Sequence, residues 1–331
     1  MVVLLLLLFV TGSGLLAGCG GTVEETQSVA VKLAMGYIPN VQFAPFYVAV
    51  ERGYFADEGI EIEFDYGWET DLLKLVGSDE LQFAIASGDQ VVLARGQGLP
   101  VVYVMNWYRR FPVCVVSLAE TGITTPLDLV GQKVGTPAIY GASYIGWRAL
   151  LDAVGLAETD MELISIGYTQ TAALTEGQVD AAICYAMNEP VQMEAAGEAV
   201  DVIYVADYAN LVSNGLITNE RTVRERPELV QGMVRAALRG IADTLQDPDG
   251  AFDISLEYVP EAANDAEAAT VNRAILLKSV EFWKADLDKL GHSEEAEWQA
   301  AQRIMHQMGL VAAEGNVTDM FTNQFISEAN P

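Results

Sequence analysis

Short apolar runs of strand type alternate with amphipathic runs of helix type along most of this chain. An opening strand signal at Val31–Met35 is followed by strand-like runs at Ile60–Phe64, Leu81–Ala86 and Val101–Asn106. Helix-like runs at Thr70–Val76 and Gln90–Gly96 separate them. This rhythm predicts a mostly parallel sheet covered on both faces by helices, an α/β fold. Pro112–Ser117 then reads as a strand crossing into a second unit, where the rhythm restarts. Strands are expected at Lys133–Thr136, Glu162–Ile166 and Asp180–Tyr185, with helices at Ala142–Ala153, Thr169–Glu176 and Asn188–Ala196. Val202–Val205 and Leu211–Thr218 read as the return crossing. One unit inserted between two crossings predicts two lobes joined at a hinge, with a cleft between them suited to a small ligand. The expected division is 31–111 plus 212–331 for lobe 1 and 112–211 for lobe 2. The tail from Arg221 is amphipathic and helical, and it is expected to pack on lobe 1.

The N-terminus reads as a processed segment. Met1–Val10 is almost wholly apolar but too short to span a membrane, which marks a signal peptide over 1–18. Leu16-Ala17-Gly18-Cys19 is similar to a bacterial lipobox, so Cys19 is the expected lipidated residue and 19–30 a lipid-anchored linker. No Lys or Arg precedes the apolar run, which departs from the usual pattern. Lipid chains would hold the protein on a membrane without a spanning helix. With 18 basic against 46 acidic residues the formal net charge is −28, which excludes a nucleic-acid surface and suits a solvated extracytoplasmic protein. Cys114 and Cys184 lie in apolar strand-like runs and are expected as buried free thiols. No Cys/His cluster has metal-ligand spacing.

The richest stretch runs from Gly36 to Phe55. Gly36 and Pro39 end the first strand, and Pro45 suits the first turn of a helix, where its missing N–H needs no partner. The result is strand, aromatic loop, helix, the place where α/β folds bind ligands. Tyr37, Phe43 and Tyr47 offer flat apolar faces beside Asn40 and Gln42. Any one of these aromatics alone is more often core; as a group in a Pro-Asn loop they indicate a binding site. The other strand ends repeat the theme with Trp68, Ser87 and Gln90, Trp107 and Tyr108, Tyr140, Tyr168, and Tyr185 followed by Asn188 and Glu189. Aromatics at so many strand ends favour a flat ring as ligand, its edges read by Asn40, Gln90, Asn188 and Glu189. Glu189 equally suits a helix start facing water. Gly141-Ala142-Ser143 opens a helix, either as a plain cap or as an anion site. Arg109 and Arg110 at the hinge pair either with a ligand anion or with nearby acidic groups. Trp283 and Trp298 are expected in the core.

The stretch GYIPNVQFAPFYVAVERGYFADEGIEIEF resembles the opening of solute-binding proteins of ABC importers in the thiamine-pyrimidine/alkanesulfonate/nitrate group. The resemblance extends from about Val31 to the neighbourhood of Pro248. It implies a type II periplasmic-binding architecture, an ABC permease as membrane partner, a monomer, and a transported small molecule rather than a cofactor. Asn188-Glu189-Pro190 is similar to the NEP of thiamine-pyrimidine binders, in which the carboxylate accepts from ring N–H groups. The chain also resembles the riboflavin-binding lipoproteins of the group. Riboflavin is therefore the expected ligand, with a thiamine pyrimidine second and a sulfonate or nitrate behind. Yeast enzymes that resemble this fold make the thiamine pyrimidine from their own histidine beside a cysteine-rich motif. Here the only histidines are His292 and His306, and no such motif or Ser/His/Asp arrangement occurs, so an enzyme is disfavoured.

Overall fold

A computed structural model describes residues 28–209, 211–284 and 289–326. The signal peptide, Cys19 and most of the linker expected from the sequence lie outside the described residues.

The strands are β1 (Val29–Met35), β2 (Ile60–Tyr66), β3 (Phe83–Ser87), β4 (Val101–Asn106), β5 (Val113–Leu118), β6 (Lys133–Thr136), β7 (Glu162–Ser165), β8 (Ala181–Tyr185), β9 (Val200–Tyr204) and β10 (Asn214–Asn219). They form two sheets of identical plan, ordered β2-β1-β3-β10-β4 and β7-β6-β8-β5-β9. In each sheet four strands share one direction and the fourth in spatial order runs antiparallel to both its neighbours. That antiparallel strand is the one reached on arrival from the other sheet: β5 after β4, and β10 after β9. The crossings are therefore the connections 107–112 and 205–213. Pro112–Ser117 and Leu211–Thr218, read from the sequence as the crossings, instead lie largely within β5 and β10.

Helices cover both sheets, as the buried parallel strands require. In the first half these are α1 (Ala44–Glu51), α2 (Tyr54–Asp57), α3 (Glu69–Gly77) and α4 (Gly88–Gly96). The second sheet carries α5 (Gly141–Val154), α6 (Gln170–Thr175) and α7 (Glu189–Ala195). The tail adds α8 (Glu220–Glu225), α9 (Pro227–Gln246), α10 (Pro248–Ser255), α11 (Ala266–Trp283) and α12 (Glu295–Gln307).

Pro45 stands in the first turn of α1, where its ring costs no hydrogen bond. The amphipathic α9 crosses α1 at Gly240, where an added Cβ would come within 2.0 Å of the Pro45 carbonyl oxygen. A side chain there would force the helices apart. The tail does more than cover the first sheet: α11 also meets α7, and α12 meets α5, so it touches both lobes. Trp283 and Trp298 are fully buried, as is Trp147 under the second sheet.

Candidate functional site

A cleft opens between the two sheets, the kind of inter-lobe position where small ligands bind. From the first lobe it is lined by Gly36 and Tyr37 at the end of β1, Gln42 and Phe43, and Trp68, Glu69 and Thr70 at the start of α3. Trp107 and Tyr108 come from the first crossing and Asn214 from the start of β10, directly after the second. The second lobe contributes Tyr140 with Gly141, Ala142 and Ser143 at the start of α5, Tyr168 and Gln170 at α6, and Cys184, Tyr185, Asn188 and Glu189. Of the residues expected at the site, Tyr37, Phe43, Trp68, Trp107, Tyr108, Tyr140, Tyr168, Tyr185, Asn188 and Glu189 thus line one cavity.

Four expected residues do not line it. Asn40 spends its side chain locally: Oδ1 accepts from the Gln42 backbone N–H at 2.9 Å and caps a short 3₁₀ turn. Tyr47 lies one turn into α1 and faces away from the cleft. Its ring stacks on Tyr258 at 4.3 Å, and its hydroxyl bonds that of Tyr66 at 2.9 Å. Ser87 is the last residue of β3 rather than a loop residue, and its hydroxyl donates to the buried Asp89. Gln90 is already inside α4, which begins at Gly88; its Oε1 accepts from the Thr70 hydroxyl at 3.1 Å.

The aromatic residues fall into two groups. At the mouth, Trp68 of the first lobe stacks on Tyr168 of the second, with centroids 4.8 Å apart and planes 16° apart. Tyr140 meets the edge of Trp68 at 5.5 Å, and Tyr37 meets Tyr168 at 4.9 Å. A ring sandwiched between two faces needs them roughly 7 Å apart, twice a carbon contact distance. In this conformation Trp68 and Tyr168 therefore close on each other over the cleft. Deeper in, Trp107 is held edge-on by Phe46 at 5.0 Å and by Tyr108 at 4.7 Å, with Trp283 behind it at 5.2 Å. Trp283 thus backs a cleft residue, while Trp298 packs on Tyr103 and Phe321 elsewhere.

Asn214 ties the site together. Its backbone carbonyl accepts from the N–H groups of Trp107 and Tyr108 at 3.0 and 2.9 Å, joining the first crossing to the start of β10. Its Nδ2 donates to Glu69 Oε1 at 3.0 Å, and its Oδ1 accepts from the Tyr185 hydroxyl at 3.3 Å. Gln42 Oε1 accepts from the Tyr108 hydroxyl at 3.1 Å. The sequence singles out neither Asn214, which falls within the return crossing Leu211–Thr218, nor Glu69 beside Trp68. The available signal was a polar Ser213-Asn214 pair interrupting a run otherwise fit for a core strand.

The electrostatics follow from burial. Burial pushes the Glu189 carboxyl up to about 7 and that of Asp89 up to about 6. Burial, with the nearby Asp89, pushes Glu69 well above the usual carboxylate range. Four buried polar atoms of cleft residues have no partner: Glu69 Oε2, Gln170 Oε1, Asn188 Oδ1 and Trp107 Nε1. Each such atom costs about 1–3 kcal/mol until something satisfies it.

No Lys, Arg or His among the described residues lines the cleft. Arg109 donates to the His292 carbonyl at 2.6 Å, and Arg110 pairs with Asp207 at 2.7 Å and lies over Tyr204. The anion-friendly element is the start of α5, whose N-cap Tyr140 makes no side-chain capping bond. A helix terminus favours an anion by about 0.3–1 kcal/mol, whereas burying an ion without a counter-charge costs several. The balance favours an uncharged ligand. Among the described residues no group of His, Cys, Asp and Glu could hold a metal. Cys114 and Cys184 are free, buried, directly opposite in β5 and β8, and 3.5 Å apart at sulfur.

Comparison with known proteins extends these observations. The chain is 44% identical to the riboflavin-binding protein RibY of Chloroflexus aurantiacus over 302 residues, 89% of this chain and 86% of that one. It is 31% identical to the formylaminopyrimidine-binding protein of Halalkalibacterium halodurans, covering 75% of this chain and 76% of the other. A 4-amino-5-hydroxymethyl-2-methylpyrimidine phosphate synthase of Legionella pneumophila is 24% identical over 90% of this chain and 92% of its own. In fold, the chain matches the alkanesulfonate-binding protein SsuA of Xanthomonas axonopodis pv. citri, solved with MOPS. The TM-score is 0.71 at 12% identity, over 90% of this chain and 99% of that one. The two-lobed architecture is therefore that of periplasmic solute-binding proteins. Residues 40–251 match the model of the family described as NMT1/THI5 like, and the chain belongs to that family.

Proposed function

We propose that this protein is the extracytoplasmic solute-binding component of an ABC importer and that its ligand is riboflavin. The observation that carries the reading is a closed, cation-free cleft walled by aromatic rings, in which buried acceptors await hydrogen-bond donors. A flat heteroaromatic ring with a hydroxyl-bearing tail meets both demands. The 44% identity to a riboflavin-binding protein supports the same ligand. Cys19 would hold the protein on the membrane as a lipoprotein, and a monomer would deliver its cargo to the permease. No helix among the described residues is long and apolar enough to cross a membrane.

The second reading is a thiamine pyrimidine precursor. Glu189, placed in the cleft beside Asn188, favours it, as does the likeness to a formylaminopyrimidine-binding protein. The synthase reading has less support. His292 and His306 do not line the cleft, and His306 Nδ1 is engaged with the Val311 carbonyl at 3.0 Å. Incubation for hours followed by mass spectrometry tests the class. A binding protein returns riboflavin unchanged and leaves His292 and His306 unmodified; loss or modification of either histidine would establish the enzyme instead.

A further inference from the structure

We infer that the cleft admits the uncharged vitamin and rejects its phosphate ester, and that Glu69 and Glu189 set this selectivity from opposite lobes. The inference rests on the flavin reading above and deepens it. Glu69 opens α3 and Glu189 opens α7; both are buried, and both line the cavity. Glu69 is fixed in place. Asn214 holds its Oε1, and Gly36 lies so close that a Cβ there would fall 2.5 Å from Glu69 Cγ. That leaves Oε2 buried and without a partner.

The unpartnered atoms define what the ligand must offer. Gln170 Oε1 and Asn188 Oδ1 are acceptors, Trp107 Nε1 is a donor, and Glu69 Oε2 accepts only in its ionised form, which burial disfavours. Hydroxyls and ring N–H groups satisfy acceptors; a phosphate ester brings acceptor oxygens and about 1.5–2 negative charges near neutral pH. The start of α5 offers an anion the equivalent of about half a positive charge, which leaves most of that charge uncompensated. Arg109 and Arg110 are committed to His292 and Asp207 and lie outside the cavity. Any ionisation of Glu69 or Glu189 would set a further negative charge beside the anion in a poorly polarisable cavity and raise its cost.

A consequence concerns the step before capture. Where the vitamin is present outside the cell as its phosphate ester, a phosphomonoester hydrolase must act first. Water cleaves the P–O ester bond, inorganic phosphate leaves, and the freed alcohol is the form this cleft accepts.

The test titrates the full chain with riboflavin and, separately, with riboflavin 5′-phosphate, following flavin fluorescence at one pH and salt concentration. The expected result is at least hundredfold weaker binding of the ester, equivalent to about 2.7 kcal/mol. Glu69→Gln and Glu189→Gln should each narrow that ratio several-fold. Equal affinity for the two flavins overturns the inference while leaving riboflavin as ligand. A ratio unchanged in both variants overturns the assignment to these residues. If neither flavin binds, the ligand reading falls by itself. The same comparison, made by calorimetry with 4-amino-5-hydroxymethyl-2-methylpyrimidine and its phosphate, then decides the charge selectivity.

Discussion

Asn214 Nδ2 donates to Glu69 Oε1 at 3.0 Å, and through this bond the start of β10 positions the carboxyl group that faces the ligand cavity. The same amide accepts from Tyr185 of the other lobe. Replacing Asn214 by Asp removes the donor and sets a third carboxyl group beside Glu69. The expected cost is about 1–3 kcal/mol of stability from the unsatisfied buried groups, with a ligand affinity loss of tenfold or more. Urea unfolding and ligand titration on the same variant measure both.

Gly36 makes the site possible by having no side chain. An added Cβ would lie 2.5 Å from Glu69 Cγ and 2.7 Å from the Ile85 carbonyl oxygen. The carbonyl belongs to a buried strand and cannot yield, so Glu69 must move. Gly36→Ala should destabilise the fold by about 1–3 kcal/mol and weaken ligand binding, whereas Gly67→Ala, with its nearest neighbour at 3.4 Å, should do neither. Thermal unfolding and titration of the two variants separate the cases.

The Trp68–Tyr168 stack closes the mouth, so it should control release. A stacked pair contributes about 0.5–1.5 kcal/mol beyond its buried area, and Trp68→Ala should weaken affinity about threefold to tenfold, mostly through faster dissociation. Stopped-flow displacement measures that rate. Trp298→Phe, remote from the cleft, should leave it unchanged. Trp283 does not serve as a second control, because it packs behind Trp107.

Burial raises the Glu189 carboxyl from 4.5 to about 7, so between those values the folded chain holds a proton that the unfolded chain has released. This contribution is fully present below the lower value and is lost as pH rises through the upper one. For a fully buried group the difference is of the order of 3 kcal/mol. Asp89, raised to about 6, acts with the same sign. The melting temperature should therefore fall between pH 5.5 and 8, and Glu189→Gln should flatten the slope. A midpoint that rises across that interval would contradict the assignment.

Much of the architecture was legible because the strands are apolar runs punctuated by Gly and Pro. Val101–Asn106 and Lys133–Thr136 emerge with the bounds their sequence predicts. The aromatic residues at strand ends also converge, since parallel strands bring their carboxyl ends to one edge. Misplaced residues trace to local geometry. β3 runs on through Ser87 and α4 starts at Gly88, turning Ser87 and Gln90 inward. The 3₁₀ turn that Asn40 caps presents Gln42 to the cleft in its place. Asn214 and Glu69 stayed hidden because their bond spans 145 positions and no local pattern records it.

The central claim is that the cation-free aromatic cleft binds a flavin. Riboflavin fluorescence is quenched when its ring stacks on an indole or phenol, so titrating riboflavin with this protein reads the claim directly. The account predicts saturable quenching at one site per chain, weakened at least threefold in Trp107→Ala and unchanged in Trp298→Phe. Thiamine pyrimidines should compete only in large excess. Unquenched riboflavin together with saturable pyrimidine binding would contradict the flavin assignment. Tight sulfonate binding that depends on Arg109 or Arg110 would contradict the cleft argument itself.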